Sequence, residues 1–265
     1  MTDTLDWSAA ADPRRRIGHA VEYHASIGST NDRARRVLAE PGGEGMAVVA
    51  DLQTAGRGRR GRSWISPPAV NLMVSVGLWP RLAARDAWHL AAASSLAVRE
   101  ACRPWAELGV KWPNDLVDAS GGKVAGLLLE TTLDGERLAT AVIGIGINVN
   151  WAKAEMPPEI ADRAGSLSDV AGTQVDRVAL LARLLAALDA EVAALGAGHS
   201  PLERYRAASV LDGRFVVVTA GSETIDGRVA GIGDDGSLLV DTGAGRRSIA
   251  YGEVLRIETP AAVPT

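Results

Sequence analysis

Seven consecutive residues, Gly56-Arg57-Gly58-Arg59-Arg60-Gly61-Arg62, set four guanidinium groups among three glycines. Between Asp51 and Asp86 the chain carries six arginines and no carboxylate. Arginine forks bind carboxylate or phosphate through two parallel hydrogen bonds, and glycine lets backbone approach an anion closely. The segment reads as a mobile loop that closes over anionic ligands, disordered over residues 57–62 until a ligand arrives. A solvated basic loop, or an RGG-like nucleic-acid contact, fits the same residues. It is not a Walker loop, because no Gly-Lys-Ser/Thr closes it.

Three further segments carry chemistry. Lys111-Trp112-Pro113-Asn114-Asp115 projects a lysine, an amide and a carboxylate from one proline-fixed corner. Those groups suit a phosphate, an adenine edge, and Mg²⁺ or an amine; an ordinary surface turn is the bland reading. Gly121-Gly122-Lys123-Val124-Ala125-Gly126-Leu127-Leu128-Leu129-Glu130 opens an apolar strand with a lysine, which is costly to bury unless it meets an anion. Gly126 inside it suggests a close ligand or backbone. Equally, the strand starts at the surface with Lys123 in water. Gly144-Ile145-Gly146-Ile147-Asn148-Val149-Asn150 alternates as a strand, with Asn148 near its end either as a site residue or as a turn cap.

These segments need a scaffold. Ser29-Thr30-Asn31-Asp32 offers helix caps before RARRVLAE, and Pro41-Gly42-Gly43 stops that helix. Short apolar runs at Met46–Asp51 and Asn71–Leu78 read as strands. Asp86 caps a helix reaching about Ala101. Gly109–Trp112 and Leu116–Val117 are short strands, and Lys123–Thr132 pairs with Leu138–Val149 through a turn at Asp134-Gly135. Residues 150–170 read as irregular. Val178, Leu181, Leu185, Leu188, Val192 and Leu195 mark an amphipathic helix over about 176–195, and a short one starts near Ser200-Pro201. After Leu211-Asp212-Gly213, short β-type runs at close spacing predict a small β-barrel. The expected domains are a mobile arm over 1–16, an α/β domain over 17–210 and the small barrel over 211–262.

Composition narrows the class. The 265 residues are 47% hydrophobic and 23% charged, with a net charge of −4, as in ordinary globular proteins. The single cysteine, Cys102, excludes a disulfide framework and fits a reducing cytoplasm. Four histidines lack metal-ligand spacing. The N-terminus has no apolar run of a signal peptide, and no stretch is apolar enough to span a membrane.

As a set, Ser29-Thr30-Asn31, Gln53, GRGRRGR, KWPND, GGKVAGLLLE and the late β domain resemble the biotin protein ligase family. The resemblance runs from about residue 23 to 260. It implies an α+β fold: a central mixed or antiparallel sheet flanked by helices, of the class II synthetase type, with a C-terminal SH3-like barrel. It implies an enzyme that forms biotinyl-5'-AMP from biotin and ATP, then transfers biotin to a lysine of a carboxylase's biotin carboxyl carrier domain. Ser29, Thr30, Asn31, Gln53 and Gly56, Arg57, Gly58 and Arg59 would surround biotin. Gly126 would add backbone contacts. Arg59, Arg62, Lys111 and Lys123 would surround the phosphates, with Lys123 also touching the biotin carboxylate. Trp64, Asn114 and Asn148 would hold adenine, and Asp115 would orient the acceptor amine. Mg²⁺ would enter mainly on the ATP phosphates. The helix-turn-helix domain of several bacterial members finds no room before residue 26, so no repressor activity and no DNA contact are expected, nor a membrane contact. A ligand-dependent homodimer is compatible with the resemblance.

The physical logic is consistent. Joining a carboxylate to the α-phosphate of ATP unites two anions, and converging cations relieve their repulsion. The mixed anhydride formed must be kept from water, which suits a closing loop. Two rivals remain at this stage. A lipoate ligase or octanoyl transferase would need Arg-Arg-x-x-Gly-Gly-Gly, which is absent, or a catalytic cysteine. A nucleic-acid binder would need more than Phe215 and Tyr251 as stacking aromatics in the late domain.

Overall fold

The computed structural model describes residues 5–258. Its larger body is a seven-stranded sheet. In chain order the elements are β1 (Val21–His24), α1 (Thr30–Leu38), β2 (Ala47–Ala50), β3 (Leu72–Leu78), α2 (Ala87–Cys102), β4 (Gly109–Lys111), β5 (Asp115–Val117), β6 (Lys123–Asp134) and β7 (Arg137–Ile147). Then come α3 (Pro158–Ala161), α4 (Leu167–Ala171), α5 (Arg177–Gly196) and α6 (Leu202–Ala208). The strand order is β1-β2-β3-β7-β6-β5-β4. Only β1–β2 is parallel and the other pairs are antiparallel, so the sheet is mixed.

Side chains alternate between the faces of a strand, and here the alternation sorts the core. Val74, Ile143, Ile145, Ala125 and Leu127 face α2 and α5 in the main core. Val48 and Val142 face the other way, against Ala34 and Val37 of α1. On α5 the buried residues include Leu180 and Leu184 as well as the expected Leu181, Leu185, Leu188 and Val192. The stripe is wider than its sequence pattern because the helix also packs on α2. Asp176 caps it, accepting from Val178 N and Ala179 N. In the irregular 150–170 stretch, α3 and α4 are short helices, the second capped by Ser166.

The arm read over residues 1–16 is docked where it is described. Trp7 and Ala10 lie on a short 3₁₀ turn and are buried with Ile17 in the main core. Trp7 stacks on Tyr23 and lies 5.2 Å from the Arg177 guanidinium. Burying an indole and seating it on a cation outweighs the polarity of the surrounding residues. Residues 1–4 lie outside the described residues.

The second body is antiparallel: β8 (Phe215–Ala220), β9 (Glu223–Ile232), β10 (Leu238–Thr242), β11 (Gly245–Ile249) and β12 (Glu253–Glu258), in the order β11-β10-β9-β8-β12. Its core residues Val216, Val218, Ile225 and Leu238 join Trp112, Tyr205 and Leu96 in one cluster. The small sheet is therefore cemented to the corner that carries Lys111–Asp115. Residues 259–262 of the expected barrel lie outside the described residues.

Candidate active site

Strand register builds the site floor. Lys111 faces Asp115 across β4–β5, Asp115 faces Gly126 across β5–β6, Gly126 faces Gly146 across β6–β7, and Gly146 faces Met73 across β7–β3. The next row holds Leu128, Gly144 and Ser75. Three glycines thus remove side chains from the middle of two adjoining rows on one face. The vacated space is used tightly. A Cβ on Gly144 would stand 2.1 Å from Asn31 Oδ1, one on Gly146 2.5 Å from the Trp64 ring, and one on Gly126 2.9 Å from Lys123 Nζ.

The start of α1 covers this floor. Ser29 holds the cap position, yet its hydroxyl makes no capping bond. Thr30 N, a free helix N–H, donates instead to Gln53 Oε1 at 2.8 Å, and Thr30 Oγ1 does so at 3.0 Å. Gln53 thereby keeps its amide N–H groups for a ligand. Ser75 Oγ lies 2.7 Å from Thr30 Oγ1 and 2.6 Å from Asn31 Oδ1. Sequence reasoning passed over Ser75; its signal was a polar residue in an otherwise apolar strand.

Ser29, Thr30, Asn31, Gln53, Arg57, Gly58, Arg59, Trp64, Asn114, Lys123 and Gly126 line one cavity of about 60 Å³ on this floor. Gly56 sits at its margin, hydrogen-bonded to Trp64 N, with no room for a Cβ against the Trp64 carbonyl. The Trp64 indole N–H is buried without a partner, and Lys123 Nζ lies 5.7 Å from the ring centre. A second cavity of about 210 Å³ shares Arg59, Asn114 and Leu127 as a wall and is otherwise framed by Trp88, Trp112 and Tyr205.

The cations meet around Asp115. Lys123 Nζ is 2.7 Å from Asp115 Oδ1. Burial pushes the Lys111 ammonium below its usual range, and the Asp115 charge opposes that shift while Lys123 and Arg163 add to it. Burial likewise lowers Arg59, again opposed by Asp115. Arg59 Nη1 donates to Asn114 Oδ1 at 3.1 Å, and Asn114 Nδ2 to Leu127 O at 2.6 Å. The Trp112–Pro113 peptide at this corner is cis. Lys111 stands one strand away from the cavity lining, at the end of the row.

Other expected residues lie elsewhere. Arg62 pairs with Glu253 of β12, while Arg60 bonds Thr219 Oγ1 at 2.9 Å. Both turn towards the small sheet because Arg60 and Gly61 adopt positive φ, so Arg62 is not beside Lys111 and Lys123. Asn148 lines neither cavity. Its amide is spent on Asn71, Lys123 O and Gly165 O, with the last two contacts at 3.2 Å, so it braces the strand start that carries Lys123. Trp64 stands with the residues expected for biotin rather than in a separate adenine pocket. Arg57 is paired with Asp32 and Glu130. Cys102 is buried in the main core, its thiol pushed up to about 12 by burial, which leaves no nucleophile for octanoyl transfer. Among the described residues no three His, Cys, Asp or Glu side chains form a metal cluster, and no helix is long and apolar enough to cross a membrane.

Comparison with known proteins follows the same outline. Residues 23–148 match the family described as "Biotin/lipoate A/B protein ligase family", and residues 213–256 match "Biotin protein ligase C terminal domain". The chain is 31% identical over 242 residues to the bifunctional ligase/repressor BirA of Bacillus subtilis, covering 90% of this chain and 74% of that protein. It is 34% identical over 242 residues to the biotin–[acetyl-CoA-carboxylase] ligase of Mycobacterium tuberculosis, covering 88% and 87%. The solved biotin protein ligase from Aquifex aeolicus in complex with biotin and ATP superposes with a TM-score of 0.74 at 31% identity, over 90% of this chain and 99% of that one.

Proposed function

The chain belongs to the biotin/lipoate A/B protein ligase family, and from that premise we propose how its residues carry out ATP-dependent biotin ligation. The observation that carries the proposal is the glycine-floored double row, bounded by the start of α1 on one side and by Lys123, Arg59 and Lys111 around Asp115 on the other. An uncapped Ser29 hydroxyl, the free amide of Gln53 and the orphaned Trp64 N–H fit a polar ring ligand such as biotin's ureido head. The tail then runs along the row of Gly144, Gly146 and Gly126, beside Asn31, Trp64 and Lys123, the side chains that pack against those glycines.

Biotin's carboxylate meets Lys123 and Arg59, and the ATP phosphates lie between these and Lys111. A carboxylate oxygen attacks the α-phosphorus, the bond to the bridging oxygen breaks, and pyrophosphate leaves. The three cations neutralise charge accumulating there; half-buried, they act more strongly than they would in open water. Asn114 flanks the nucleotide, and Asn148 fixes the Lys123 backbone. Among the described residues Mg²⁺ has no cluster of its own; bound together with the nucleotide it would supply charge neutralisation for the phosphates. In the second step the acceptor lysine nitrogen attacks the acyl carbon and AMP departs. Asp115, released from Lys123 when phosphate takes its place, accepts the amine's proton.

The acceptor is a biotin carboxyl carrier domain of a carboxylase. A cytoplasmic location, a ligand-dependent homodimer and the absence of DNA binding belong to the same proposal. The test is biotin-dependent ATP–pyrophosphate exchange, run with biotin and lipoate in parallel. Exchange with biotin alone, abolished in Lys123→Ala with the fold intact, is the expected result. Exchange with lipoate instead, or near-normal exchange in Lys123→Ala, overturns it.

A further inference from the structure

We propose that Asp32 is a positioning residue that, with Glu130, latches the glycine–arginine loop over the biotin cavity by holding Arg57. The inference rests on the ligase reading above. Arg57 Nη1 donates to Asp32 Oδ2 at 2.8 Å and Nη2 to Asp32 Oδ1 at 2.7 Å, a paired fork, and Nη2 also lies 3.5 Å from both Glu130 oxygens. Glu130 Oε2 accepts from Arg35 at 2.9 Å and from Asn31 Nδ2 at 2.8 Å, while Arg35 Nη1 reaches Asp32 Oδ1 at 3.0 Å. Helix α1, strand β6 and the loop are thus joined by one network of two carboxylates and two guanidinia.

The tie acts on the whole loop. Arg57 bridges to Ser63, and Gly58 N donates to Arg62 O at 2.7 Å, so residues 57–63 form one closed turn whose entry Arg57 fixes. The cavity beneath holds about 60 Å³, well short of the ~150 Å³ that admits a benzene ring. Room for a bicyclic ligand is made by moving the walls of this space, the loop among them, and a lift of the loop breaks the Arg57 bonds. The fork holds the Asp32 carboxyl down to about 2, so the latch stays charged over the working pH range. Asp32 and Arg57 are 40% and 37% exposed. Water and salt therefore reach the pair, and it opens each cycle for the acceptor lysine. Asp32 itself lines neither cavity.

The experiment forms adenylate in a single turnover and follows its release, by a fluorescence or filter assay, in wild type, Asp32→Asn and Asp32→Glu. Release should accelerate about threefold to tenfold in Asp32→Asn, as expected for loss of a partly exposed ion pair. Adenylate formation and melting temperature should stay near wild type, and Asp32→Glu should recover part of the retention. Release from wild type should also quicken from low salt to about 1 M, where charges are screened within ~3 Å, and Asp32→Asn, in which only Glu130 still faces Arg57, should show a markedly smaller salt dependence. Equal release at all salts in wild type and Asp32→Asn overturns the latch while leaving the ligase intact. If Asp32→Asn does not fold, a salt-independent wild-type release overturns it. A wild type that makes no biotinyl-adenylate overturns the ligase reading and the latch with it.

Discussion

Replacing Ser75 with alanine probes the support behind Thr30 and Asn31, which line the cavity proposed for biotin, without touching a charge. Ser75 is fully buried on β3 and its hydroxyl has one proton to give, with Asn31 Oδ1 at 2.6 Å and Thr30 Oγ1 at 2.7 Å. Asn31 Oδ1 is an amide oxygen and can only accept, so the proton belongs there, and Thr30 Oγ1 shares its own between Ser75 and Gln53. Alanine leaves Asn31 Oδ1 without a donor in a dry site, since its Nδ2 is already committed to Glu130. An orphaned buried acceptor costs about 1–3 kcal/mol. Taking about 2 kcal/mol, the melting temperature should fall by roughly 4–8 °C for a chain of this size. Thr30 also loses the hydroxyl that fixes its rotamer, and with it the hold of Thr30 Oγ1 on Gln53 loosens, so biotin affinity should weaken by about tenfold, equivalent to about 1.4 kcal/mol. Differential scanning fluorimetry and titration calorimetry with biotin read the two effects. Unchanged melting together with unchanged affinity would refute the claim that this hydroxyl organises the start of α1.

Gly146→Val should push the Trp64 ring off the floor, because even a Cβ would stand 2.5 Å from it; biotin affinity should drop by at least about tenfold, with an overpacking cost of about 1–3 kcal/mol, and a wild-type calorimetric isotherm contradicts the floor. Burial lowers the Lys111 pKa from the ordinary 10.5, so the folded chain gives up this proton first. Between the folded value and 10.5 the unfolded chain binds more protons, and this residue's contribution makes stability rise with pH there. Adenylation should lose its Lys111 cation below the usual lysine range, and Lys111→Arg should move the alkaline limb of the pyrophosphate-exchange profile upward; a limb unmoved by that change excludes Lys111 from it. Cys102, pushed up to about 12, is about one part in 10⁴ thiolate at pH 8. Iodoacetamide should label it only after urea unfolding, and native labelling at a free-thiol rate contradicts its burial.

The local pattern of the chain determined a good deal. Period-two alternation in VAGLLLE and GIGIN is enough to put Gly126, Leu128 and Glu130 on one face, and Gly144 and Gly146 on another strand's matching face. The leucine spacing of α5 and the Asp134-Gly135 turn follow from the same short-range rules, because a helix face or a hairpin depends on residues a few positions apart. Glycine–arginine composition likewise picks out residues 56–62 as a cationic loop, without deciding between a loop that closes over an anion, a solvated one and a nucleic-acid contact.

Tertiary structure alone decided which arginine does what. In sequence the four loop arginines are interchangeable cations. Their partners lie far along the chain: Arg57 meets Asp32 and Glu130, at separations of 25 and 73 residues, Arg59 meets Asn114 at 55, and Arg62 meets Glu253 at 191. The same holds for Trp7, read as part of a free arm but seated on Tyr23 and Arg177, and for Asn148, whose amide is taken up by its own strand's neighbours. An ion pair or a buried ring is selected by what the fold brings within a few ångströms, and Coulomb attraction at that range takes no account of sequence distance. The residue types set which charges the site possesses; the packing of sheet, helix and small barrel set where each one is aimed.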